Sequence, residues 1–124
     1  MSVFEQVRQI PIGTRFATPA QHRPFTLASH QTDSVTFSVG DNDTPIEVPR
    51  ACWDSVRDFL RGRGWIAVGQ KHNVADAGTF TAFLDTIQLP NQHRHPDWGS
   101  YVVLVLEHLR IVEVVTRPTR IRLR

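Results

Sequence analysis

The sequence predicts an α+β protein, and three observations carry that expectation. Apolar residues alternate between residues 25 and 48, they recur at helical spacing in later stretches, and the chain closes on the two short β-type runs IVEVV and RIRLR. A chain of 124 residues can bury a core without metals or disulfides, and 40% hydrophobic with 21% charged residues are globular proportions. One domain is expected over 1–124, with residues 1–48 mainly β, residues 49–124 carrying the helices, and a shared core.

Along the chain, IPIGTRFATPAQHRP reads as an irregular connection, because three prolines and a glycine interrupt any period. PFTLAS then puts Phe25 and Leu27 on one face, and SVTFSV does the same with Val35, Phe37 and Val39. With HQTD as the turn, the two runs pair as an antiparallel hairpin. GDNDTP is a second turn, and PIEV extends the meander with Ile46 and Val48 facing inward.

A helix is expected from Pro49, a residue favoured in a first helical turn. Cys52, Trp53, Val56, Phe59 and Leu60 form its apolar stripe, and Gly62 or Gly64 stops it. WIAVG is too short for a helix and reads as a strand. In VADAGTFTAFLDTIQLP, Asp76 or Thr79 can cap a helix whose stripe is Phe80, Phe83, Leu84 and Ile87, ended by Pro90. LPNQHRHPDWGS is a polar loop. The run from about Asp97 through YVVLVLEHLR has β-propensity in VVLVL, but its length and the spacing of Val102, Val105, Leu106 and Leu109 predict a helix. Finally, TRPT turns IVEVV into RIRLR, with Ile121 and Leu123 inward and Arg120, Arg122 and Arg124 outward.

Read together, these elements give an N-terminal antiparallel β-hairpin and meander, then helix, strand, helix, loop, helix and terminal hairpin. From about Pro49 to Arg124 that order resembles a winged helix-turn-helix domain, a three-helix plus terminal hairpin unit. The resemblance implies that the last hairpin is a wing laid on a nucleic-acid backbone and that the third helix enters the major groove. The residues fit the first implication better. Opposite its expected core face the third helix shows Ser100, Val103, Glu107 and Arg110, flanked by Tyr101, Leu104 and His108, a surface rich in apolar groups and carrying an acid that suits base edges poorly. A helix apolar nearly all round is better explained by burial on two sides or by a dimer contact through Val103, Leu104 and Tyr101.

Charge points to the same half. Residues 1–49 hold three arginines against five acids, whereas residues 50–124 hold ten arginines and Lys71 against seven acids. Attraction to polyanions should therefore come from the C-terminal half. Arg110, Arg117, Arg120, Arg122 and Arg124 are the candidate surface, with Arg61 and Arg63 as an extension. Two explanations of the tail arginines stand open: contact with successive phosphates, or protection of an exposed C-terminal edge strand from pairing with other chains. The excess of arginine over lysine suits bidentate recognition of phosphate, and a GC-rich genome produces it equally well.

Other chemistry is thinly represented. His93, His95 and Asp97 in HRHPDW are proper zinc ligand types, with His72 or His108 to complete a set, yet the same residues describe a polar loop with a helix cap. Cys52, the lone cysteine, excludes an internal disulfide and sits on an apolar stripe, so it reads as a small buried hydrophobe. GxSxG, Walker and dinucleotide patterns are absent. Trp53, Trp65 and Trp98 read as core or rim anchors, and an exposed ring among them could stack on a base or ligand. With no signal-like or membrane-spanning apolar run, a soluble cytoplasmic protein without membrane contact is expected. The resulting expectation is a non-catalytic binding protein without a cofactor, taking DNA or RNA on its C-terminal arginines. The alternatives are a homodimeric interaction module and a metal-dependent enzyme using His93, His95 and Asp97.

Overall fold

A computed structural model describes residues 2–17, 24–40, 43–68, 78–85, 98–115 and 119–124. It is an α+β chain with helices and two antiparallel sheets. Two compact units divide it, Met1–Asp54 and Ser55–Arg124.

The N-terminal unit opens with a helix that the sequence reading leaves unassigned. In α1 (Val3–Arg8) the Ser2 side chain accepts from the Glu5 backbone N–H and the Glu5 carboxylate accepts from the Ser2 N–H. This reciprocal cap offsets the unsatisfied amides of so short a helix. Val3, Phe4 and Val7 are buried. Pro11 to Thr14 then form a tight turn in which the Thr14 N–H donates to the Pro11 carbonyl at 3.1 Å and Gly13 takes φ +95°.

The stretch expected to be irregular holds a strand. β1 (Arg15–Ala17) pairs antiparallel with β2 (Pro24–His30), which pairs with β3 (Ser34–Val39), which pairs with β4 (Thr44–Pro49), in the order β1-β2-β3-β4. The prolines around β1 hide it from pattern reading, but Phe16 opposite Phe25 gives its side chain a buried, stacked partner at 5.0 Å. Phe25, Leu27, Val35, Phe37, Ile46 and Val48 are buried on the inner face, as their alternation predicts. A bulge in β2 changes the register between Leu27 and Ser29. The extra residue brings His30 opposite Val35, on the inner side, where its Nε2 is buried without a hydrogen-bond partner among the described residues.

α2 (Arg50–Leu60) follows β4 without a linker. Pro49, expected as the first helical residue, is instead the last of β4 and pairs with Ser34. The Arg50 N–H, freed from any helical partner, donates to the Asp33 carbonyl at 2.7 Å. Cys52, Trp53, Val56 and Leu60 are buried, and Phe59 is half-buried. The Trp53 ring meets Phe37 at 6.3 Å, while its Nε1 is buried with no partner among the described residues, so apolar area rather than the indole N–H holds it.

In the second unit α2 ends at Leu60, and Gly62 at φ +74° supplies the left-handed turn. β5 (Ile66–Ala67) follows, then α3 (Phe80–Asp85). Of the two expected caps of α3, Asp76 lies outside the described residues and Thr79 is the N-cap, its Oγ1 accepting from the Ala82 N–H at 3.2 Å. Phe80 and Leu84 are buried, and Ile87 and Pro90 lie outside the described residues. The VVLVL run is helical as expected, within α4 (Trp98–His108). β6 (Val112–Val115) and β7 (Arg120–Leu123) form the terminal hairpin, and β5 joins it in the order β5-β7-β6.

That order corrects one expectation. The C-terminal strand β7 is not at an edge: it lies between β5 and β6, hydrogen-bonded on both sides. Ile121, opposite both Ile66 and Val114, is fully buried. Both neighbours require the register that turns Arg120 and Arg122 outward.

Replacing Phe37 with alanine is expected to cost about 3–5 kcal/mol, because its buried ring meets Phe16, Phe25 and Trp53. Urea unfolding of the two proteins measures the difference.

Candidate nucleic-acid interface

The expected arginines fall into distinct situations once the hairpin is formed. On the outer face of the three-stranded sheet, Arg120 lies opposite Ala67 on one side and Val115 on the other. Arg122 lies opposite Glu113, and the same register brings it beside Trp65. Arg124 continues the series, its N–H donating to the Ile111 carbonyl at 3.0 Å. Alternate residues on one strand face stand roughly 7 Å apart.

Their charges are not equally free. Nε and Nη2 of Arg122 donate to the same Glu113 oxygen at 2.9 and 2.8 Å. The guanidinium lies over the Trp65 ring at 4.6 Å from its centroid. Arg122 is thus held by its edge and by one face. Arg124 donates from Nε to the Val112 carbonyl at 3.3 Å, a neutral partner that leaves its charge uncancelled. Arg120 is exposed, and among the described residues no carboxylate pairs with it. Three cations facing one acid leave this sheet face positive.

Arg110 occupies a different kind of position. α4 closes with the Ile111 N–H donating to Leu106 and the Arg110 N–H to Glu107, both at 2.9 Å, with Arg110 at φ +60°. These paired bonds define a Schellman end, in which glycine is the usual occupant of the left-handed position. Leu106 and Ile111 are both buried beneath it. An exposed arginine stands where the backbone favours glycine, next to the residue that pairs with Arg124. Of the extension, Arg61 pairs with Asp58 at 3.3 Å and Arg63 lies over Phe59 at 4.6 Å. Arg117 lies outside the described residues.

The helix reading fares differently. Tyr101 and Val103, expected at a dimer contact, are buried within the chain, and Leu104 is half-buried. Burial nearly all round, as the apolar sequence of α4 suggests, leaves Glu107 and His108 as its exposed side chains near the C-terminal end. His93, His95 and Asp97 lie outside the described residues, and among the described ones no group of three metal-ligating side chains occurs. Nor is any described helix long and apolar enough to cross a membrane.

Trp65 is the residue that the candidate set lacked. It is 39% exposed, whereas Trp53 is fully buried. The signal was present in WIAV: Ile66 and Val68 are buried, so alternation turns Trp65 outward. Glu113 was equally readable only as a charge, because its partner depends on the hairpin register. The outer face of the other sheet is different in kind. There Ser29, Gln31, Ser34, Thr36 and Glu47 hydrogen-bond to one another, which explains how Ser34 is buried at low cost.

Comparison with family models, curated proteins and solved structures finds no match to this chain.

Two consequences concern single residues. Arg110→Gly is expected to stabilise the protein by about 0.5–1 kcal/mol, the left-handed strain it relieves exceeding the added freedom of the unfolded chain. Thermal unfolding reads the change. Burial pushes the Cys52 thiol well above its ordinary range, so it stays protonated in the folded protein. A thiol reagent at about pH 8 should label it only as fast as the chain unfolds, which added denaturant would accelerate.

Proposed function

We propose that the C-terminal unit is a winged-helix-like, non-catalytic binding module that takes a nucleic-acid backbone on the outer face of its three-stranded sheet. The carrying observation is that Arg120 and Arg122 turn outward from the middle strand of the sheet and Arg124 follows at its end. Protection of an edge does not account for Arg120, which β5 and β6 flank on both sides, and the guanidinium of Arg122 is turned onto the Trp65 ring and Glu113. Element order supports the winged-helix likeness further, with β5 drawn into one sheet with the hairpin.

Phosphate contact falls to Arg120, Arg124 and Arg110, whose charges no carboxylate cancels among the described residues. Backbone contacts of this type position a polyanion without reading its sequence. α4 adds little to sequence reading, since exposed Glu107 repels phosphates and the apolar residues around it are buried. The self-association reading through α4 gains no support from buried Tyr101 and Val103, where a glutamate would disrupt folding before it tested an interface.

Three phosphate contacts imply binding that weakens roughly 20- to 40-fold between about 50 and 200 mM salt. Fluorescence anisotropy with a labelled oligonucleotide measures this. Arg120→Ala with Arg124→Ala should weaken binding and lower the salt slope by about 1.5. Glu113→Gln, which removes the one facing acid, should tighten it. Affinity unmoved by all three substitutions would remove the sheet face from the argument.

A further inference from the structure

We propose that the Trp65–Arg122 pair is a stacking position for an unpaired nucleobase, so that the module prefers single-stranded nucleic acid over duplex. The inference rests on the backbone-binding reading above and names the class of polyanion that it takes.

Arg122 has one edge and one face already engaged. Its Nε and Nη2 edge is occupied by Glu113 at 2.9 and 2.8 Å, so its charge is largely cancelled and its plane is fixed. One face of that plane lies over Trp65 at 4.6 Å. The side chain is still 45% exposed, and Trp65 itself is 39% exposed. A flat cation held at its edge and backed by an indole is poorly placed as a phosphate anchor. It is well placed to offer its open face to another flat group, because guanidinium planes and aromatic rings are the surfaces on which unstacked bases settle.

The flanking charges select what that flat group is attached to. Arg120 and Arg124 lie one alternate position to either side of Arg122 on the same strand face. A base on Arg122 therefore has cations on both sides along β7 for the backbone that carries it. A duplex meets the arginines but not the platform, since paired bases show only their edges in the grooves and keep their faces inside the stack. A strand with unpaired bases satisfies both. The stacking surface addresses a base and the flanking cations address phosphates, groups that DNA and RNA single strands share.

Full-length protein would be titrated by anisotropy with labelled single strands of about 12 nucleotides, a length within the range of small single-strand sites. Four probes are used: mixed-sequence DNA, the same sequence as RNA, an abasic DNA strand of equal length, and the DNA duplex. The base-bearing strands should bind at least about tenfold tighter than the abasic strand, the scale of one stacked base. Trp65→Leu and Arg122→Lys should bring both down to the abasic level while leaving abasic binding unchanged. Arg122→Lys keeps the charge and loses the plane, so a purely electrostatic role would not be moved by it. Trp65→Phe, which retains a ring, should keep part of the difference and shows that the leucine variant's loss is one of stacking. Equal binding of abasic and base-bearing strands, or equal losses on both in the variants, overturns the stacking position and leaves the backbone reading standing. Preference for the duplex overturns it likewise, and no binding of any probe at low salt overturns both.

Discussion

β7 is hydrogen-bonded on both sides, and the chemistry of the C-terminal unit follows from that constraint. A strand paired with β5 and β6 cannot slip by one residue without turning Ile121 out of the core and Arg120 and Arg122 into it. Two neighbours enforce this independently, through Ile66 on one side and Val114 on the other. The arginines are therefore placed by burial of an isoleucine. The same register sets Glu113 against Arg122 across the hairpin and brings Trp65, distant in the chain, to its other side.

Much of this architecture is legible in the sequence, and the failures have physical causes. Alternation locates β2, β3, β4 and the terminal hairpin because each has one buried face, helical spacing locates α2 and α3 for the same reason, and α4, buried nearly all round, is located by the length of its apolar run together with spacing. β1 escapes because three residues are too few to show a period, and only Phe25, distant in sequence, reveals what Phe16 is for. α1 escapes for its brevity, although Ser2 and Glu5 carry a capping signature that needs no tertiary information. Pro49 misleads because proline suits a strand end as well as a helix start. In the candidate site, the outward arginines are readable from alternation. The position of β7 within the sheet is not, since it depends on where the two-residue β5 pairs.

The two sheets of the chain share antiparallel pairing and differ in what their outer faces do with polar groups. In the N-terminal unit hydroxyl, amide and carboxylate groups are satisfied by one another, which reduces their capacity to recruit a partner. In the C-terminal unit the outer face carries guanidinium groups in excess of carboxylate, with an exposed indole among them. Self-satisfied polar faces are quiet surfaces, whereas uncancelled charge beside exposed aromatic area is the composition of an interface. This difference is why the proposal concerns the second unit, while the first is packed around Phe16, Phe25, Phe37 and Trp53.

Glu113 would be counterproductive if total positive charge were all that mattered, since it cancels a third of the strand's cationic face. Its effect is better understood as an exchange of charge for geometry. A free arginine explores many rotamers and must be ordered whenever it binds, at a cost in side-chain entropy. Fixing Arg122 by its edge against Glu113 and by its face against Trp65 meets that cost during folding, and leaves a flat, oriented surface between the cations Arg120 and Arg124. Phosphate contacts tolerate variation in position, because a charge acts over a distance. Stacking gains from a fixed plane. The row Glu113, Arg122, Trp65 therefore gives the strand one fixed plane between two charges, and Glu113 contributes to it in two opposed ways, lowering the charge of the face and holding the plane in place.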